Sequence, residues 1–348
     1  MSTFTVPVVK IKNITKHPNA DTLSIAEFED LLWACIIKND EFKVGDLAIY
    51  IPVDSIVPES LIQKYNIGYL KNGERVRAVK LRGSLSYGFI VPNDLNAPLG
   101  GDLAAKLGVT KWEPPPVREP GVKTGGRLRK QNSNFAKYTD IENINNYPNV
   151  FKDDELVIAT EKIHGMSFRA GWVRKDPRNL WDRIKAIFAP YEFIVGSHNC
   201  QLDYNSKSVF VETAKKLGLK EKTKHLKGYV FYGELYGKGV QKGMEYDLND
   251  VDIRFFDIKY EDNYLDYAMM KDTVALLGFD SVPLIDAAPF DLARVKALAT
   301  GESTLASHKK EGVVIKPIKE RYDHKCGRVI LKVINPDYLL DKEMTDFH

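Results

Sequence analysis

LVIATEKIHGMSF, residues 156–168, decides how this chain is read. An apolar run ends on Lys162, and Gly165 follows three residues later. Aliphatic and β-branched residues in such a run make a strand. A lysine at a strand end, with a glycine that lets backbone approach a ligand, is suited to nucleophilic attack. The tetrapeptide K-x-x-G carries little by itself, because Lys80, Lys123, Lys162, Lys215 and Lys309 each begin one. Context separates them. Lys162 follows an apolar strand, whereas Lys80 lies in a β-rich region, Lys123 in a Pro/Gly-rich stretch and Lys215 in a helical run.

Three downstream segments give Lys162 its weight. FYGELYG (231–237) places Glu234 after a strand and between glycines. KEGVVIKP (310–317) puts Glu311 before a strand that ends in Lys316, and GRVILKVINPDY (327–338) sets Lys332 inside an apolar strand. Charged residues in apolar strands are costly unless paired or serving a ligand. Two carboxylates and two lysines so placed suit a triphosphate–metal site; each alone reads equally well as a buried ion pair.

Outward from this core, residues 135–348 mix strands and helices without strict alternation. LVIATEKI, FRAGWV, FIVGS, YVFYGELYG, IRFFDIKY, GVVIKP and RVILKVI predict strands. SVFVETAKKLGL, YLDYAMMKDTVALLGF and FDLARVKALAT have helical spacing. The pattern predicts an α+β fold with antiparallel sheets rather than a doubly wound one. Residues 1–112 read as about five short strands separated by turn signals such as HPNAD, KVGD and KNGE. A small β-barrel of the oligonucleotide-binding (OB) type is one common answer to that pattern. Between them, residues 113–134 (EPPPVREPGVKTGGRLRKQNSN) have the Pro, Gly and basic content of a linker.

At 348 residues the chain suits two domains, and 44% hydrophobic with 28% charged residues is ordinary for a globular protein. It contains no apolar run long enough to span a membrane and does not open on a secretory signal. Three isolated cysteines argue against structural zinc and disulfides and fit a cytoplasmic location. The net charge of +3 is too small to announce a nucleic-acid partner. Local clusters say more, one at Lys123, Arg127, Arg129 and Lys130 and another along residues 309–332.

EKIHG, FYGELYG, FFDI, KEGVVIKP and ILKV, in this order, resemble the nucleotidyltransferase motifs of polynucleotide ligases and mRNA-capping enzymes. The KIHG form is similar to the RNA-ligase branch that includes phage T4 RNA ligase 2. The whole layout, with a β-rich module in front and only 16 residues after Lys332, resembles the Deinococcus and Naegleria type of ATP-dependent RNA ligase. That type places an OB domain before the adenylyltransferase domain. HPNADTL and FKVGD also look like the OB-type tRNA-binding domain of synthetase-associated proteins.

The resemblance implies that Lys162 attacks the α-phosphorus of ATP, and that the AMP then passes to RNA bearing a 5′-phosphate beside a 3′-OH, as in a nicked duplex. It implies a nucleotide pocket lined by Glu161, Ile163, His164, Gly165, Glu234, Phe256, Lys316 and Lys332. Phe256 would stack on adenine. Glu234 and Glu311 would hold Mg²⁺ or Mn²⁺, for which oxygen ligands are suited. Three positions depart from relatives: His164, where DNA ligases have Asp; His198, where related ligases often have Arg; and Ile334, where a second lysine is common. An RNA guanylyltransferase and a non-catalytic RNA-binding protein remain as alternatives.

Overall fold

The alternating apolar and polar runs at the front of the chain become short antiparallel strands, and the longer runs after residue 150 build two further sheets. The computed structural model describes residues 4–71, 73–112, 131–177, 180–240 and 246–339. These fall into two compact units. One comprises the residues up to 112 with 142–151 and 336–339; the other comprises 131–141 and 152–335.

In the first unit, β1 (Val8–Lys16), β2 (Leu23–Phe28), β3 (Ala34–Lys38), β4 (Leu47–Ile51) and β5 (Phe89–Pro92) form one sheet in the order β3-β2-β1-β4-β5. The edge strand β3 meets the Ala78–Leu81/Ser84–Tyr87 hairpin, where the Ile36 amide donates to Ser86 Oγ (3.0 Å), so the sheet curls toward closure. Its interior holds Val8, Ile49, Ile51, Phe89 and Val91 on one side, and Ile11, Phe28, Trp33 and Tyr50 on the other.

Two of the expected boundaries shift. Residues 142–151 belong to this unit, because Trp33 Nε1 donates to Asn146 Oδ1 (2.6 Å) and the Leu32 amide to the Asn145 carbonyl (2.9 Å). The expected linker lies mostly outside the described residues, as does the 123–130 basic cluster. Its last four residues are anchored in the second unit. There the buried Asn132 side chain donates to the Arg174 carbonyl (2.9 Å) and to Glu192 (2.8 Å).

The second unit is α+β with two antiparallel sheets. In chain order its main elements are β6 (Leu156–Lys162), β7 (Met166–Arg174), β8 (Tyr191–Ser197), α1 (Val209–Lys216), α2 (Leu219–Lys222), β9 (Tyr229–Gly237), β10 (Val251–Tyr260), α3 (Tyr267–Leu276), β11 (Leu284–Pro289), β12 (Gly312–Pro317) and β13 (Leu331–Ile334). One sheet contains β13-β12-β6-β11 side by side, and the other β8-β7-β9-β10. On β7, Phe168 and Ala170 face a core shared with Phe210, Val211 and Ala214 of α1 and Met270 and Val274 of α3. Alternation sends Arg169 and Val173 to the opposite face, toward Phe135, Tyr138 and Tyr232. No helix among the described residues is long and apolar enough to cross a membrane.

Candidate active site

Lys162 is the last residue of β6, and β6 pairs with β12 so that Lys162 stands opposite Gly312. That register brings in Glu311, the residue before β12. Its carboxylate is fully buried, and Oε1 lies 2.5 Å from the Lys162 amine. β7 begins four residues after Lys162 and pairs with β9, placing Ser167 opposite Glu234. The turn between β6 and β7 is tight at Gly165. A Cβ there would stand 2.4 Å from the Leu235 carbonyl oxygen and 2.9 Å from Glu234 Cγ. The fourth position of K-x-x-G is therefore glycine because backbone and carboxylate pass too close for any side chain.

Glu234 is buried, and its Oε1 has no hydrogen-bond partner among the described residues. Burial pushes its carboxyl up to about 8; Lys162 lowers it, and the nearby Glu311 charge raises it again. A buried acid with an unsatisfied oxygen beside a second acid is a place suited to a cation. Among the described residues no cluster of three or more His, Cys, Asp or Glu side chains could hold a metal. Two carboxylates fit a Mg²⁺-like ion that takes its remaining ligands from phosphate and water.

The other candidates surround this pair unequally. Ile163 is buried. His164 donates its backbone amide to the Tyr246 hydroxyl (2.6 Å), and its Nδ1 is 3.7 Å from Glu311 Oε2. Glu161 is held by residues that sequence reading missed. Its Oε1 accepts from Ser303 Oγ, and its Oε2 accepts from the Thr304 amide (2.8 Å) and Thr304 Oγ1 (2.5 Å). Lys332 stands half-buried on β13, paired with Val314 of β12. Ile334 is buried opposite Gly312, and His198 is half-buried, with burial lowering its pKa.

Phe256 falls at a register shift in β10, between Gly233↔Phe255 and Tyr232↔Asp257. A bulge re-aims side chains. Phe255 stays in the core, while Phe256 packs edge-on against Tyr138 with centroids 4.9 Å apart. Its neighbour Asp257 was not singled out from sequence, yet it anchors a buried network. Lys316 donates to Asp257 Oδ1 (2.9 Å) and Glu320 (3.2 Å). Arg328 donates to Asp257 Oδ2 (2.7 Å) and Glu320 (2.6 Å). Tyr138 donates its hydroxyl to Asp257 (2.6 Å). Burial raises the Asp257 carboxyl, but Lys316 and then Arg328 hold it below its ordinary value. Two cations here meet two acids, and Arg321 pairs with Glu155 (2.6 Å). Three of the eight basic residues in the 309–332 cluster, Lys316, Arg321 and Arg328, are thus paired with acids within the fold. A carboxylate in the apolar run IRFFDIKY was the signal that could have flagged Asp257; Ser303 and Thr304 sit in a loop with no such mark.

Comparison with known proteins bears on the fold and the family. No curated protein matches the chain. Solved structures of Naegleria gruberi RNA ligase share its fold. The complex with PPi is 25% identical, with a TM-score of 0.77 over 96% of this chain and 97% of that one. A mutant with AMP and Mn gives 24% identity, 96% and 97% coverage and a TM-score of 0.77. Another with ATP and Mn gives 23%, 97% and 98%, and 0.74. An OB-fold domain model matches residues 5–93. The RNA ligase family model matches residues 155–334, more than half the chain and the whole span from β6 to Ile334. The chain belongs to the RNA ligase family.

Proposed function

We propose that this protein is an ATP-dependent RNA ligase that carries AMP on Lys162 and seals a 3′-OH to a 5′-phosphate, with a nicked duplex as its substrate. One observation carries the reading: a strand-end lysine held 2.5 Å from a buried carboxylate, with a second buried carboxylate alongside. The Naegleria complexes with ATP, AMP and Mn support the choice of nucleotide and ion.

In the first step the Lys162 Nζ lone pair attacks the α-phosphorus of ATP. An N–P bond forms, the bond to the bridging oxygen breaks, and pyrophosphate leaves. An ammonium has no lone pair, so a proton must first depart, and Glu311 Oε1 is the acceptor within reach. Glu234 and Glu311 would hold Mg²⁺ or Mn²⁺, which would offset charge developing on the phosphate oxygens. Phe256 offers an aromatic face to adenine beside Tyr138. Lys332 supplies positive charge toward the phosphates, whereas Lys316 works through Asp257 to fix the strand beneath the base. In the second step the RNA 5′-phosphate attacks lysyl–AMP, and the N–P bond returns its electrons to Lys162. The 3′-OH then attacks the activated phosphate and expels AMP.

The test is covalent labelling of the full chain with α-labelled ATP and a divalent metal. Label should appear on the wild type and vanish in Lys162→Ala. Label that persists in that variant overturns the assignment. Sealing of nicked RNA duplexes, compared with single-stranded ends, then decides the substrate.

A further inference from the structure

Residues 215–227, KKLGLKEKTKHLK, carry six lysines and one glutamate, a charge of +5. The whole chain is only +3, so this stretch leaves −2 spread over the other residues. It runs through the end of α1, α2 and the segment leading into β9. Lys215 pairs with Glu212 (3.0 Å) and Lys216 with Asp250 (2.6 Å). Lys220, Lys222, Lys224 and Lys227 have no carboxylate within ion-pair distance among the described residues.

Three of these four lie over aromatic rings. Lys227 Nζ is 3.1 Å from the Trp172 centroid, Lys222 is 4.5 Å from Phe279, and Lys220 is 5.0 Å from Tyr204. Such stacking holds a lysine by its ring contact while leaving its charge uncancelled. Burial, and then the charge of Lys224, lowers the Lys227 pKa, as expected where like charges face each other. Lys316, Arg321 and Arg328 show the contrast: there the fold supplies the counter-ions, and here it does not.

We propose that Lys220, Lys222, Lys224 and Lys227 form an exosite for the phosphate backbone of the RNA duplex arm flanking the break. The proposal rests on the ligase reading for the identity of the polyanion. Trp172, under Lys227, lies five residues along β7 from Ser167, which pairs with Glu234. That is roughly 17 Å of strand at ~3.3 Å per residue, or about five nucleotides at ~3.4 Å per nucleotide of a duplex strand. RNA held here lies beyond the nucleotides at the break, so contact requires an arm longer than that. The contacts are to phosphate and independent of sequence.

The experiment compares the wild type with Lys222→Gln/Lys224→Gln, both exposed positions, and with Lys227→Gln. Binding is measured across a salt series on nicked RNA duplexes with arms of about 5 or about 20 base pairs. On the long arms the double variant should lower the slope of log K against log salt by about 2, at about 0.9 per lost phosphate contact, and weaken binding roughly tenfold. Binding to the short arms and labelling by ATP should be unchanged. An unchanged slope on long arms overturns the exosite, and so does an equal loss on both lengths. A variant that loses binding to anionic vesicles but not to RNA also overturns it. Failure of ATP labelling in the wild type instead strikes the ligase reading, and the salt slope is read independently of it.

Discussion

The Lys162 amine and the Glu311 carboxylate are 2.5 Å apart, and Glu311 is fully buried while the Lys162 side chain keeps 13% of its surface exposed. A pair in this geometry is a proton path as much as an ion pair. Glu311→Gln keeps the shape and removes the acceptor. Adenylation should fall about 10²-fold or more, with part of the loss restored at higher pH. Single-turnover labelling across a pH series checks this; a rate equal to the wild type at neutral pH would remove Glu311 from the step.

Gly165 should tolerate no side chain. A methyl group would stand 2.4 Å from the Leu235 carbonyl oxygen. Gly165→Ala should destabilise the fold by about 1–3 kcal/mol, seen as a melting point several degrees lower, and should also reduce labelling by displacing Glu234.

Glu234 sets a pH dependence of stability in the metal-free protein. Its folded pKa of about 8 lies above the ordinary 4.5, so between these values the folded state holds a proton that the unfolded state has lost. Stability therefore falls as pH rises through that window, by at most about 1.4 kcal/mol per unit, and the loss is complete above pH 8. Glu234→Gln should flatten the decline. Denaturant titrations at pH 5 to 9 without metal test it, and a wild type that gains stability across that range would contradict it.

Asp257 and Lys316 should behave as a coupled pair. Both are buried and joined at 2.9 Å. Asp257→Asn or Lys316→Met alone strands a buried charge and should cost about 3–5 kcal/mol. The double variant should cost less than the sum of the two. Additive losses would show that the contact contributes little beyond its separate parts.

Much of this arrangement was legible in the sequence because strands impose register. Once LVIATEK and GVVIKP are adjacent strands, Lys162 and Glu311 must meet, and FYGELYG brings Glu234 to the same end. The helix Leu180–Phe188 was overlooked although Leu180, Trp181, Ile184, Ile187 and Phe188 have helical spacing. Ser303 and Thr304 could not have been found: their bonds to Glu161 span more than 140 positions and depend on how a loop folds back. The partners of Lys316 were hidden for a related reason, since a lysine in an apolar strand reads alike whether it meets a phosphate or an aspartate.

The pairing of Lys316 and Arg328 with Asp257 and Glu320 has a consequence for how nucleotide enters. With two positive and two negative groups locked together, the Phe256 end of the site is electrically silent. Attraction for an incoming triphosphate is then left to Lys162 and Lys332, and the base enters a neighbourhood without net charge.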